Sequence, residues 1–382
     1  MRPDALVYAS LWMLFVLLAC DAPEPPPPSA EAIDAAATGE IRGFVFTNWA
    51  YEIPYDDPGE CPDGLNVSER EYLSEEFEAV SAEVKRRYEA GDREGALSLL
   101  PPDACKDPMV RPDPGHKTFD GAAIVAGIDL DGMHSERDSG DRCAHEDFVG
   151  PGGMRGIDNQ YWRLMGCVKG FRPGGLFDRL FKTGTAITEG ALSTLLEMTL
   201  VEGTRDEGRV EVRMFTGARS VTTDANGAIV RHTSQPVHAD TMYHSEPFEG
   251  EIKDGVLIAG PVDLKLRFAV QAIDNHYWFR DARIRAEMLP DGSVKGVLGG
   301  YWDIENLFDF LTEVYLGPIH LGRAAANAGG YMCAGVYHAL PRLADGHLDP
   351  ETGQCTSLST SIQFAAVPAF IIHPEELAAS SL

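Results

Sequence analysis

The stretch Val262-Asp263-Leu264-Lys265-Leu266-Arg267-Phe268-Ala269-Val270 decides the fold. Leu264, Leu266 and Phe268 alternate with Lys265 and Arg267. A period of two places successive side chains on opposite faces of a strand. The same alternation returns in residues 209–215, where Val210, Val212 and Met214 oppose Glu211 and Arg213. Working outward, 122–128, 195–201, 256–258, 283–289 and 294–298 also read as strands, as do 41–53 and 361–372 near the two ends. Pro290-Asp291-Gly292 supplies a hairpin turn. Many short strands joined by polar turns predict a β-rich body, mainly an antiparallel β-sandwich or jelly roll.

Helices are expected at fewer places. Ser68-Glu69-Arg70-Glu71 reads as a capping box. Leu73, Phe77, Val80 and Val84 then fall on one face of an amphipathic helix that ends near Gly91. A shorter helix over 93–100 is stopped by Pro101-Pro102, and further helical segments are expected at 304–315 and 330–340. The chain divides on this reading into a signal at 1–19, a stalk at 20–40, a strand with a helical cap at 41–120, the β body at 121–305 and a C-terminal region at 306–382.

Six residues occur almost twice. Ile157-Asp158-Asn159-Gln160-Tyr161-Trp162 and Ile273-Asp274-Asn275-His276-Tyr277-Trp278 share five positions. They suggest two related half-units, or one turn motif used twice. On the structural reading Asp-Asn forms a sharp turn and Tyr-Trp anchors it in the core. On the functional reading Asn159, Tyr161 and Trp162 form a sugar-binding patch, with amide and carboxylate on hydroxyls and an aromatic platform.

Between Asp129 and Asp158 lies the densest run of acids. Asp129, Asp131, Asp138, Asp141, Asp147 and Asp158 are interleaved with glycines that let the backbone bend. Calcium takes six to eight oxygens from such loops, so these six aspartates are the candidate calcium ligands. The spacing is not that of an EF-hand, since Met133 and Gly140 stand where ligands are required. The competing reading is a solvated acidic loop. His134 and His145 lie in the same stretch and could join a zinc site with Asp or Glu, although neither has a close histidine partner in sequence. His232, His238 and His244 recur every six residues and read as surface histidines.

The N-terminus reads as an export signal. An apolar run over 5–19 is too short to span a bilayer comfortably and suits a signal peptide. Residues 21–38 contain Pro25 to Pro28 in a row, a polyproline stalk that cannot form a core. Apart from Cys20, six cysteines remain: Cys61, Cys105, Cys143, Cys167, Cys333 and Cys355. An even number in an exported chain reads as disulfides, with nearest-neighbour pairing 61–105, 143–167 and 333–355 expected. The net charge of −27 argues against nucleic acid as a partner and favours attraction of cations.

Leu17-Leu18-Ala19-Cys20 resembles the lipobox of bacterial lipoproteins. The resemblance implies that Cys20 carries the lipid and tethers the chain to an inner or outer membrane, facing periplasm or exterior. Gly127-Ile128-Asp129-Leu130-Asp131-Gly132, Gly156-Ile157-Asp158-Asn159-Gln160 and the region from Cys333 to Phe370 are similar to exported proteobacterial lipoproteins of unknown function. That likeness supports the anchor and brings no catalytic residues with it. No nucleotide-binding, zinc-protease or serine-hydrolase signature is present, and no CxxC or CxxCH, so no haem, nucleotide or flavin is expected. Two classes of function follow. One is a binding or structural envelope protein, with calcium in the acidic loop and a carbohydrate or envelope protein as partner. The other is a periplasmic hydrolase using a carboxylate pair such as Asp147 and Asp158. A place as accessory subunit of an envelope complex is a third reading, suggested by the helical caps.

Overall fold

A computed structural model describes residues 39–51, 61–120, 124–135, 143–178, 184–270, 273–316 and 319–374. The expected signal, Cys20 and most of the expected stalk lie outside the described residues. The body is β-rich, as the alternation predicts. Eight strands form one antiparallel circuit: β1 (Ile41–Tyr51), β2 (Thr194–Gly203), β3 (Gly208–Thr216), β5 (Phe248–Lys253), β6 (Val256–Val270), β7 (Ile273–Met288), β8 (Val294–Asp303) and β12 (Cys355–Ile372). β12 then pairs with β1, Val45 opposite Val367, so the circuit closes on itself. Closure leaves none of these eight strands with an unpaired edge. The short β4 (Ser234–Pro236) pairs parallel with the end of β12, and β11 (Gly346–Leu348) pairs with its start.

The inner face is a stack of cross-strand apolar belts. In one of them Leu200, Val210, Gly250, Ala259, Ile284, Leu298 and Ile362 lie opposite one another in turn around the circuit. Gly250 is small for a steric reason: a Cβ there would sit 2.9 Å from the Ala259 Cβ. Lys265 and Arg267 face outward while Leu264, Leu266 and Phe268 are buried, which is why 262–270 was decisive. The expected strands 256–258 and 262–270 are one strand, with the register slipping on either side of Val262 next to Gly260-Pro261. A proline is tolerated at such an irregularity. Residues 124–128 form no strand: Ile124 and Ile128 make only isolated bridges, to Val149 and Asp158.

Helices pack around the strands. The capping box forms as read, with Ser68 and Glu71 bonding reciprocally at the start of α1 (Glu69–Tyr72). Leu73 breaks the helix, and α2 (Ser74–Glu89) buries no residue fully, so its apolar face is only half covered. α3 (Arg93–Leu97) follows. The first hexapeptide enters α4 (Gln160–Met165), and α5 (Thr185–Thr188) precedes β2. Between β8 and β11 lie α6 (Ile304–Thr312), the hairpin β9 (Tyr315–Leu316) and β10 (Ile319–His320), then α7 (Gly322–Gly329) and α8 (Cys333–Leu343). α6 seats Leu307 and Leu311 in the core. Phe310 reaches Tyr277 at 4.7 Å and Trp302 at 5.2 Å between ring centroids.

The two hexapeptides are not equivalent turns. In the first, Asn159 caps α4; the second lies within β7. The turn reading therefore fails for the second copy, where pairing with β6 overrides the local preference of Asp-Asn. The anchoring role of tyrosine holds in both. Tyr161 and Tyr277 are each within 6 Å of the Trp302 ring, at 5.8 and 4.9 Å.

The disulfides differ from the nearest-neighbour expectation. They join Cys61 to Cys167, Cys105 to Cys333 and Cys143 to Cys355, spanning 106, 228 and 212 residues. Spacing along the chain misleads because the closed circuit brings both ends together. Each bond staples a peripheral segment to a distant element: Cys105–Cys333 ties the α3 region to α8, and Cys143–Cys355 ties the acidic loop to β12. For the same reason the expected boundaries at 120 and 305 do not separate units. β1 and β12 come from outside 121–305, and the described residues belong to one compact unit.

Candidate functional site

The outer face of β12 seats the acidic loop. Leu358, Thr360 and Ile362 point into the circuit, so Ser357, Ser359 and Ser361 point out. All three serines are buried, because the loop layer covers them. Ser359 Oγ accepts the Gln160 N–H at 2.9 Å, and the Ser361 hydroxyl donates to the Asp158 carbonyl at 3.4 Å. The Ser359 N–H in turn donates to Asp345 Oδ1 at 2.7 Å. One strand thus holds the first hexapeptide and Asp345 against the same wall.

Carboxylates converge there. One oxygen each from Asp129, Asp131 and Asp158 lies within 4.8 Å of the other two. Oxygens of the same carboxylates also organise the loop. Asp158 Oδ2 accepts from Leu130 N at 2.7 Å, Asp129 Oδ1 from Gly132 N at 2.6 Å and Asp131 Oδ1 from Met133 N at 2.7 Å. Asp147 Oδ2 accepts from Ser135 N at 2.6 Å. Gly156, at φ +75°, closes the turn where nothing larger fits. A Cβ there would sit 2.8 Å from His134 Nδ1 and 3.0 Å from Asp129 Oδ2.

The electrostatics are those of acids crowded away from water. Burial pushes Asp158 up to about 8, against the Leu130 N–H, and Asp345, Asp131 and Asp147 add to the rise. Asp345 is pushed up to about 7 by burial, opposed by its bonds to Ser359 and reinforced by Asp131. Asp147 rises to about 6, again through burial first, with Asp131 and Asp129 contributing. The Tyr301 hydroxyl is raised by burial and by Asp158, Asp345 and Asp131. A divalent cation would answer this repulsion and draw the carboxyls into their charged forms. Left uncharged, the same carboxyls are proton donors near neutral pH.

The sequence-derived candidates fare unequally. Asp129, Asp131 and Asp158 come together, and Asp147 is electrostatically coupled to them. Asp138 and Asp141 lie outside the described residues. Asn159, Tyr161 and Trp162 are 1, 2 and 3% exposed, so they present no sugar platform. Asn159 caps a helix, Tyr161 joins the aromatic core and Trp162 packs with Phe119 and Phe148. His145 Nε2 is paired with the Ala344 carbonyl, which leaves that nitrogen no zinc role. His244 Nε2 is likewise paired with the His238 carbonyl at 2.6 Å. Asp345 and Tyr301 join the site without belonging to the acidic stretch of the sequence. Asp345 lies in the short link between α8 and β11, an ordinary place for aspartate, and only the pairing of β11 with β12 reveals it.

No protein-family model, curated protein or solved structure matches the chain.

Proposed function

We propose that this is an exported, lipid-anchored envelope protein with a binding or structural role, whose acidic loop is ordered by calcium. The convergence of Asp129, Asp131 and Asp158, with Asp147 and Asp345 beside them, carries the calcium reading. These groups supply hard oxygens and excess negative charge, which is what calcium selects. Export is supported by the three disulfides, which persist in oxidising compartments, and by the lipobox-like Leu17-Leu18-Ala19-Cys20. The anchor sits at Cys20, and an envelope carbohydrate or protein is the partner. Calorimetric titration with calcium tests the loop. One equivalent is expected to bind in wild type and not in Asp158→Asn, and absence of any calcium heat sinks the reading. Radiolabelled palmitate lost in Cys20→Ser tests the anchor.

One observation favours a second reading. Asp147 and Asp158 have carboxyls raised to about 6 and about 8, values suited to a general acid, in a carboxylate-dependent hydrolase acting on envelope glycan. Turnover of glycan fragments that survives in EDTA and disappears in Asp158→Asn would favour it over calcium binding.

A further inference from the structure

The second hexapeptide, unlike the first, lines an open cleft of about 450 Å³. Asp274, Asn275 and His276 form one wall. The other runs along α6, from Asn306 in its first turn through Asp309 to the C-capping Glu313, and Tyr315 stands beside it. The volume falls in the range of small-ligand sites, roughly 300–1,000 Å³. None of these residues belongs to the acidic loop.

The charges in the cleft are unevenly matched. Asp274 is held by Arg267 through two bonds, at 2.9 and 3.0 Å. Asp309 and Glu313 are one helical turn apart, and neither makes an ion pair among the described residues. They also stand at the C-terminal end of α6, where the helix carbonyls already make the potential negative. Partial desolvation first, then Glu313, Glu305 and Asp303, push the carboxyl of the solvent-accessible Asp309 up to about 6.

The remaining groups suit hydroxyls. Asn306 Oδ1 accepts from Trp278 N at 3.1 Å and from Trp302 Nε1 at 2.8 Å. That fixes the amide and leaves its NH₂ as the available donor. Asn275 Oδ1 is engaged with His276 N at 2.7 Å in the same way. Burial lowers the pKa of His276, favouring its neutral ring, which can donate and accept. Tyr315 is 48% exposed and offers an apolar ring face.

We propose that this cleft binds a hydroxylated organic cation, of which an amino sugar is the class that supplies every needed group. An ammonium sits between Asp309 and Glu313, while hydroxyls meet the amides of Asn275 and Asn306 and the His276 ring. An anion is excluded by the charge. A neutral sugar leaves the two carboxylates repelling each other. Calcium finds little beyond the carboxylates of Asp309 and Glu313, because Asn306 Oδ1 already accepts two bonds and Asp274 is held by Arg267.

Calorimetric titration in EDTA tests this with glucosamine, N-acetylglucosamine and putrescine as probes. Glucosamine is expected to bind at one equivalent. N-acetylglucosamine and putrescine, lacking the ammonium and the hydroxyls respectively, should each bind at least tenfold more weakly. The Asp309→Asn/Glu313→Gln double variant, checked for an unchanged melting temperature, should lose at least tenfold in glucosamine affinity, and Tyr315→Ala should also weaken it. No glucosamine binding, equal binding of either control, or unchanged affinity in the double variant overturns the proposal. So does a calcium heat, measured without EDTA, that vanishes in the double variant.

Discussion

The Tyr51 hydroxyl donates to the Tyr277 hydroxyl across 2.8 Å in the buried core. Tyr51 also stacks on Tyr161, 4.9 Å away between centroids. The two hexapeptides, one entering a helix and one in a strand, are therefore joined through a single residue of β1. Tyr277→Phe removes the acceptor and leaves the Tyr51 hydroxyl buried without it, a loss of about 1–3 kcal/mol. Tyr161→Ala and Tyr277→Ala delete whole buried rings and should each cost about 3–5 kcal/mol. Trp278→Ala should cost less, since Trp278 is only half-buried and lies outside the core. Urea denaturation of the variants checks the order; Trp278→Ala proving the most costly would contradict it.

The disulfides make a second prediction. Peptide mapping without reduction should recover 61–167, 105–333 and 143–355. Removing Cys105–Cys333, which closes the longest loop, should cost about 2–5 kcal/mol. Removing Cys143–Cys355 should instead act on the acidic loop, because Cys143 anchors that segment to β12. Hydrogen exchange in the Cys143→Ser/Cys355→Ser variant should rise around Asp129–Ser135 more than in the strands of the circuit. A uniform rise would refute this division.

Calcium should stabilise the fold by mass action, by about 2.7 kcal/mol at one hundred times the dissociation constant. Asp158→Asn should abolish the gain. Asp345→Asn should weaken it, since Asp345 faces the same site, held there by the Ser359 N–H of β12. Without calcium, each substitution should be close to neutral or stabilising, because it relieves crowding among acids. Melting temperatures in EDTA and in calcium distinguish these outcomes, and a calcium effect undiminished in Asp158→Asn would discard the site.

What could be read from the chain follows from range. Residues 262–270 announce a two-sided strand because the information is local, and the capping box at Ser68 is local too. Asp129, Asp131 and Asp158 were legible as a group because they lie within thirty residues of one another. Closure of the circuit was not, since it depends on Val45 meeting Val367. Nor was the contribution of Asp345, which joins Asp158 only once β11 and β12 pair. The second hexapeptide shows the limit most directly. Its residues favour a turn locally, and a β6 neighbour for each of them makes it a strand.

Acid should weaken the fold through His116. Its Nε2 lies 2.7 Å from the Leu164 carbonyl, to which it donates. Burial lowers its pKa to about 4, with Arg342 assisting, while the Leu164 bond and Asp113 oppose the shift. In the unfolded chain the ring returns to about 6.5. Between these values the unfolded state binds the proton more readily than the folded one. The contribution of the neutral ring is therefore complete above about pH 6.5 and lost as pH falls through about 4, amounting to about 3 kcal/mol at most. Carboxylates titrate over the lower part of the same range, so the informative quantity is the difference between wild type and His116→Gln. That difference should shift against the wild type from pH 7 to pH 4, as measured by urea denaturation at each pH. Parallel curves would show that the His116 ring does not titrate differently on folding.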